Sequence, residues 1–455
     1  MKIVSHAKAV GATGRSPLLI SWFKSIFTVK ICQIYKGGWR MATRRVHDDY
    51  ITIERRDFIC KGLAGLAGLL FSDSLFGASV FAESMIKETS ISLHDPAWIR
   101  NSIKTLWEDR RRSGVSPLLR LIPPFNSGLC LYLKNEGLSP TGSLKHRVAW
   151  GLLMQALVNG EIGPNTSLYE VTSGNTGIGE AYFAKLLGLP FTAVMRAGIS
   201  PLKMQAIRDY GGHTAIAPAG VTPAAYLEEL LAKEPNGYNL NQFANTEKSL
   251  DFADASPDRT MNMASEIFRQ LEGGGHSCPV WFVAGAGSGG TATSIARYLR
   301  KWADNSGRNC PAQLAVVDPE DSALFEWYRT GDNTITSKKG SRIEGIGSGG
   351  PVVFGKTFSL LRAGVARMFK IPDDASIAAM RLTAALTGYE PGPSTGTNLI
   401  GAMRLLEEMH RKGEQGAIVT IICDDGKRYR DSYYDAQWLK SKELNQDRWR
   451  SALET

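Results

Sequence analysis

The sequence predicts an α/β protein with two domains built on largely parallel, twisted sheets. Three observations lead there. Short apolar, β-branched runs alternate with helical periodicity beyond about residue 90. Glycine-rich turns join the strands to the helices that follow them, the pattern of crossover-connected parallel strands. The chain has 455 residues, 43% hydrophobic and 21% charged, which excludes a disordered, collagenous or coiled-coil chain. At about 150 residues per domain it has room for two or three domains. No apolar run reaches the roughly 20 residues of a spanning helix.

The first segment reads as an address. The net charge is +9. Residues 1–61 hold twelve Lys/Arg and four Asp/Glu, so eight of the nine net charges lie there. The body is close to neutral, which removes the case for nucleic-acid binding. Arg55-Arg56 precede Phe58, a Gly/Ala/Leu run spans Gly62 to Phe71, and Val80-Phe81-Ala82 offers a small-residue cleavage site. Paired arginines make this a twin-arginine export signal, with a periplasmic destination. Residues 1–84 are therefore taken as leader. Met41 offers a second start, which would make residues 1–40 an extension. A transit peptide is the alternative, since Trp22–Arg45 is basic and free of acids. A chain whose leader does not function would stay cytoplasmic. No stable membrane association is expected once the signal is removed.

In the body, Ser167–Val171, Phe191–Met195, Val280–Ala284, Leu314–Val317 and Ala417–Cys423 read as buried strands. Helices are expected through Lys185 and Arg300. Residues 85–245 are assigned to an N-terminal α/β domain and 246–455 to a C-terminal one. A weak break falls at Lys233–Gly237. Cys130, Cys278, Cys310 and Cys423 are widely spaced, with no CxxC pair and hence no metal signature. Four free thiols are expected.

Five motifs carry chemistry. Ser139-Pro140-Thr141-Gly142-Ser143 turns into a helix capped near Ser143, placing Lys145 in its first turn. The helix dipole and sparse solvation there lower a lysine's pKa, which suits a Schiff-base nucleophile. Thr172-Ser173-Gly174-Asn175-Thr176-Gly177 sits between a strand end and a helix, where backbone N–H groups cradle a carboxylate or phosphate. Gly285-Ala286-Gly287-Ser288-Gly289-Gly290-Thr291 follows a strand and opens a helix. It lacks a Walker lysine and a ribose-binding acid at a strand end, so a monophosphate fits better than a dinucleotide. Arg342-Ile343-Glu344-Gly345-Ile346-Gly347 and Gly392-Pro393-Ser394-Thr395-Gly396 complete the series.

These motifs, in this order, resemble the fold-type-II pyridoxal-phosphate enzymes, the group of cysteine synthase and cystathionine β-synthase. The resemblance covers about residues 95–440. It implies two three-layer α/β/α domains of the tryptophan synthase β-like kind, with pyridoxal 5'-phosphate in the cleft between them. It implies that Lys145 carries the cofactor and is the catalytic base. Asn175 would bond the pyridoxal 3′-oxygen, Gly287, Ser288, Gly289, Gly290 and Thr291 the phosphate, and Ser394 the pyridine nitrogen, with Gly345 near the ring. Thr172, Ser173, Gly174 and Thr176, with Gln242, would take the substrate α-carboxylate. The N-terminal domain would then carry the lysine and substrate loop, and the C-terminal domain the phosphate cup. His146-Arg147 after the lysine, the Glu180–Pro190 stretch and Cys423–Tyr429 look like the bacterial cysteine desulfhydrase branch. The activity implied is β-elimination on L-cysteine to hydrogen sulfide, pyruvate and ammonia. The alternative is β-replacement, forming cysteine from O-acetylserine and sulfide. Partners are a small amino-acid substrate and, as the resemblance implies, a second copy in a homodimer.

Overall fold

A computed structural model describes residues 29–35, 38–44, 95–123, 128–250, 252, 260–273, 278–306, 312–353, 356–357, 360, 362–445, 447 and 449. The twin-arginine motif and Cys310 lie outside them.

Strands β1 (Val29–Tyr35) and β2 (Gly38–Arg44) pair antiparallel. Helix α1 (Pro96–Ser113) begins where Asp95 accepts from the Ala97 N–H at 2.8 Å and Pro96 takes the first turn. Strands β3 (Leu118–Leu121) and β4 (Leu129–Asn135) form a hairpin, and α2 (Lys145–Val158) follows. Then come β5 (Ser167–Val171), α3 (Asn175–Leu187), β6 (Phe191–Met195), α4 (Pro201–Asp209), β7 (His213–Ile216), α5 (Pro223–Leu231) and β8 (Gly237–Asn239). Helices α6 (Gln242–Ser249) and α7 (Met263–Glu272) lead to β9 (Trp281–Gly285), α8 (Gly290–Ser306), β10 (Gln313–Pro319) and α9 (Leu324–Thr330). A small hairpin, β11 (Val352–Val353) and β12 (Lys356–Thr357), precedes β13 (Arg367–Ile371). The chain closes with α10 (Asp373–Thr387), α11 (Pro393–Lys412), β14 (Gly416–Ile422) and α12 (Ala436–Ser441).

The expected architecture is observed. The small sheet, in the order β7-β6-β5-β8, is parallel throughout. The large sheet runs β13-β10-β9-β14-β4-β3-β1-β2, parallel from β13 to β4 and antiparallel beyond. Apolar clusters lie on both faces of the large sheet: Phe282, Val316 and Val419 point to one, Val283, Val317 and Ile418 to the other. Burial on both faces requires the near-continuous apolar runs seen in these strands. A separate cluster around Trp150, Phe183 and Phe191 surrounds the small sheet.

The sheets do not part at residue 245. Strands β3 and β4, placed by the sequence in the N-terminal domain, belong to the large sheet, where β4 pairs with β14 along Leu129–Asn135. The small sheet is thus an insertion between β4 and β9. The Lys233–Gly237 break is only the turn between α5 and β8.

Candidate active site

Lys145 opens α2, and the turn before it is held from two sides. Ser139 Oγ accepts from the Ser143 N–H at 2.9 Å and donates to the Ser143 carbonyl at 2.8 Å. The end of β14 adds the Leu144 N–H to the Cys423 carbonyl at 2.8 Å, and the Asp425 N–H to the Gly142 carbonyl at 2.9 Å. The cap lies one residue later than expected: Leu144 occupies it, while Ser143 Oγ accepts from the Lys145 N–H at 3.3 Å. Burial pushes the Lys145 ammonium below its ordinary value, against the opposing pull of Cys423 and Asp424. Such an amine gives up its proton more readily, as a nucleophile or base must.

The next residues hold the helix in place. His146 does not line the pocket; its ring packs on Phe183 and Tyr182, with centroids 4.8 Å and 5.5 Å apart. Burial, helped by Arg147, pushes its pKa down to about 3, so it is neutral. Arg147 bonds Glu136 at 2.8 Å and Glu266 at 2.7 Å. Lys134 reaches Glu266 at 2.8 Å, and Arg110 also contacts it. Two carboxylates thus anchor three buried cations and tie α2 to α1, β4 and α7.

The glycine turn runs from the end of β9 to the start of α8. Asn398 Oδ1 accepts from the Gly285 N–H at 2.7 Å, and the Ala286 carbonyl accepts from the Gly347 N–H at 2.8 Å. A Cβ on Gly287 would sit 2.3 Å from the Gly345 carbonyl oxygen, so only glycine permits this approach. The helix N-terminus and its unpaired N–H groups favour an anion here.

Asn175 is the first residue of α3. Its Nδ2 donates to Asp424 Oδ2 at 2.7 Å, and its Oδ1 accepts from Arg428 at 2.8 Å. Tyr429 donates to the same Asp424 oxygen at 2.5 Å, whereas Asp424 Oδ1 has no hydrogen-bond partner among the described residues. Burial pushes the Asp424 carboxyl above the usual range. Ser394 lies in the first turn of α11, buried against Cys423. Burial, with the nearby Asp424, pushes the Cys423 thiol up to about 12, so it is an uncharged S–H. Asn398 Nδ2 donates to its sulfur at 3.2 Å. Cys130 and Cys423 are free thiols, among the described residues.

Lys145, Asn175, the turn from Gly287 to Thr291, Gly345 and Ser394 line one pocket of ≈ 520 Å³. Thr172, Ser173, Gly174, Thr176 and Gln242 do not line it. Thr172 Oγ1 accepts from the Gly174 and Gly177 N–H groups, each at 3.2 Å, and Ser173 is exposed. Gly174 has φ 146°, and a Cβ there would meet Lys203 at 2.8 Å. Thr176 Oγ1 donates to Gln242 Oε1 at 2.8 Å, while Gln242 Nε2 donates to the Val171 carbonyl at 3.0 Å. Cys423, Asp424 and Asn398 line the pocket as well. No motif marks them as site residues; the Cys423–Tyr429 stretch carries only the family resemblance.

A glycine turn at a helix N-terminus, a lysine of lowered pKa and a buried neutral hydroxyl share one pocket. They fit a group carrying a phosphate, an aldehyde and a ring nitrogen, and so fit pyridoxal 5'-phosphate. Fold and pocket define an α/β enzyme in which a buried lysine and a glycine-rich turn line one pocket. The family model for pyridoxal-phosphate dependent enzymes matches residues 111–424, and the chain belongs to that family. It is 42% identical to an L-cysteine desulfhydrase of Mycobacterium tuberculosis, over 77% of this chain and 91% of that protein. It is 28% identical to a cysteine synthase of Dictyostelium discoideum, over 72% of this chain and 83% of that one. The solved structure of a hydrogen sulfide-producing enzyme from Fusobacterium nucleatum superposes with a TM-score of 0.58 at 25% identity, covering 70% of this chain and 98% of that one.

Proposed function

We propose that the protein cleaves L-cysteine by β-elimination, taking up water and yielding hydrogen sulfide, pyruvate and ammonia. The observation that carries this reading is Lys145, a buried amine of lowered pKa, lining the same pocket as the glycine turn and Ser394. Its similarity to the mycobacterial L-cysteine desulfhydrase supports the choice of substrate.

Pyridoxal phosphate, when bound, supplies an electron sink for charge developing at the substrate Cα. The N–H groups from Gly287 to Thr291 would hold the phosphate at the α8 N-terminus. Asn175, fixed between Asp424, Tyr429 and Arg428, would turn its amide to the ring oxygen. Ser394 would meet the ring nitrogen as a neutral hydroxyl, which, unlike a carboxylate, would not hold a proton on it. Lys145 Nζ takes the Cα proton as general base. The sulfur leaves with its bonding electron pair, and the Lys145 ammonium can return a proton to it. The Thr172–Thr176 loop and Gln242, which adjoin Asn175 but lie outside the pocket lining, would receive the α-carboxylate through backbone N–H groups and the remaining Gln242 amide proton.

Incubation of the holoenzyme with L-cysteine is expected to release sulfide and pyruvate in equal amounts. Similarity to the cysteine synthase supports a second reading, β-replacement on O-acetylserine. No sulfide from L-cysteine, with cysteine formed from O-acetylserine and sulfide, would make that reading correct. The Arg55-Arg56 motif supports a further proposal, export of the folded protein by the twin-arginine route. Replacing both by lysine should strand active enzyme in the cytoplasm; unchanged periplasmic activity would sink the export proposal.

A further inference from the structure

Two buried carboxyls stand behind the loop proposed to bind the substrate carboxylate. Glu170 lies on the inward face of β5, where the alternation would otherwise place an apolar residue like Leu168. Glu180 lies on α3, four residues after Thr176 and so on the same helix face. Both are buried, and each carboxyl is a neighbour that influences the other's ionisation. Neither oxygen of Glu180 receives an N–H or O–H from elsewhere in the described residues. Two carboxylates cannot bond each other without a proton between them.

The pair is connected to the site from both sides. Glu170 Oε2 accepts from the backbone N–H of Gln242 at 2.9 Å. That bond holds the start of α6 directly after Asn241, a non-glycine residue at φ 52°, an uncommon conformation kept only where the surroundings enforce it. Gln242 in turn accepts from Thr176. Among the described residues no cation compensates the pair: Glu170 is the charge that acts on Glu180. Of the ionisable groups on α2, His146 is turned onto Tyr182 and Phe183, Arg147 is paired with Glu136 and Glu266, and Lys145 faces the cofactor pocket. On α4, Lys203 contacts Glu344 and Arg208 bonds Thr214; on α1, Asp109 accepts from Tyr182 and Arg110 contacts Glu266. α6 presents the uncharged Gln242.

We propose that Glu170 and Glu180 share one proton and act as a positioning pair, fixing Gln242 and Thr176 for the substrate carboxylate. With one proton the pair is a singly charged acceptor clamp on the Gln242 amide. When that proton leaves, a second negative charge appears behind the site that must bind an anion, and affinity for the amino acid falls. Burial raises both carboxyls, and in a coupled pair the last proton is the most strongly held, which places its loss on the alkaline side of neutrality. The inference rests on the role proposed for Gln242.

The test is the dissociation constant of L-alanine, which carries the α-carboxylate but no leaving group, read from the absorbance of the bound cofactor. Glu180→Gln and Glu170→Gln each keep an amide-to-carboxylate bond in place of the shared proton. Ionisation of the ligand amine is common to all three proteins, so their ratio reports the pair. The wild-type constant should equal that of both variants at about pH 6 and exceed it about tenfold at about pH 9. Parallel pH profiles in all three proteins would overturn the proposal, as would failure of the wild type to bind L-alanine at any pH. Normal L-alanine binding without sulfide release from L-cysteine would instead count against the proposed reaction and leave the pair to be judged by its pH profile.

Discussion

At Lys145 the pocket combines a lowered ammonium pKa with a carboxyl, Asp424, that opposes the lowering. Lys145→Ala should lose the visible absorbance band of the bound cofactor and at least ~10³-fold of activity. Asp424→Asn should have a subtler effect. Its amide can still accept from Asn175 and Tyr429, but the charge that favours the Lys145 ammonium is gone. The amine pKa then falls further, and the acid limb of the pH–rate profile for kcat should move to lower pH by up to about one unit. A shift to higher pH would contradict this electrostatic account. The Asp424 role was invisible in the sequence because its partners are remote: Asn175 lies 249 residues away and is brought near only by the pairing of β14 with β4. Lys145, Asn175, the glycine turn and Ser394 were legible, because each sits at a strand-to-helix turn or in the first turn of a helix and carries a local signature.

Helices α10 and α11 cross at Gly396, where an added Cβ would lie 1.8 Å from the Ser376 carbonyl oxygen. Backbone cannot yield as a flexible side chain can, so Gly396→Ala must part the helices. A loss of about 2–4 kcal/mol is expected in chemical denaturation. Ser394 stands two residues away, so cofactor affinity should fall in the same variant, measurable by fluorescence titration of the apoprotein. The elements differed in how well they showed in the sequence. β5 and β6 were found at their observed limits, and β9, β10 and β14 within two residues, as short apolar runs bounded by turns. β4 was missed although it is buried along its whole length. Lys134 and Asn135 end that run with polar residues, and only the ion network around Glu266 accounts for a buried lysine there. β7 and β8 are short and largely accessible, and so carry little apolar pattern.

Across the whole molecule, the two sheets meet through a set of polar contacts beside the pocket. Lys203 of α4 contacts Glu344, Ser200 Oγ donates to Asp431 at 2.6 Å, and Arg428 bonds Asn175. The stability of the assembled fold should depend on pH through the Glu170–Glu180 pair. A glutamate whose folded pKa is raised binds more proton in the native state, so its contribution is intact below the unfolded value near 4.5 and is lost as pH rises toward about 8. Glu180→Gln should therefore match the wild type in thermal stability at about pH 5 and exceed it by roughly 1–3 kcal/mol at about pH 9. The domain boundary was the least legible feature, since a contiguous split at 245 cannot express an inserted sheet. That insertion also sets the order of events during synthesis. Strand β4 leaves the ribosome early, yet its parallel neighbour β14 comes nearly three hundred residues later. The small sheet, whose strands all lie between residues 167 and 239, can assemble in the meantime. The cofactor pocket cannot, because the backbone that clamps the Lys145 turn and the carboxyl that fixes Asn175 are among the last parts of the body to be made. A nascent chain is thus unable to bind pyridoxal phosphate at this site until translation is almost complete, and premature termination anywhere before β14 leaves a half-built large sheet with an open edge.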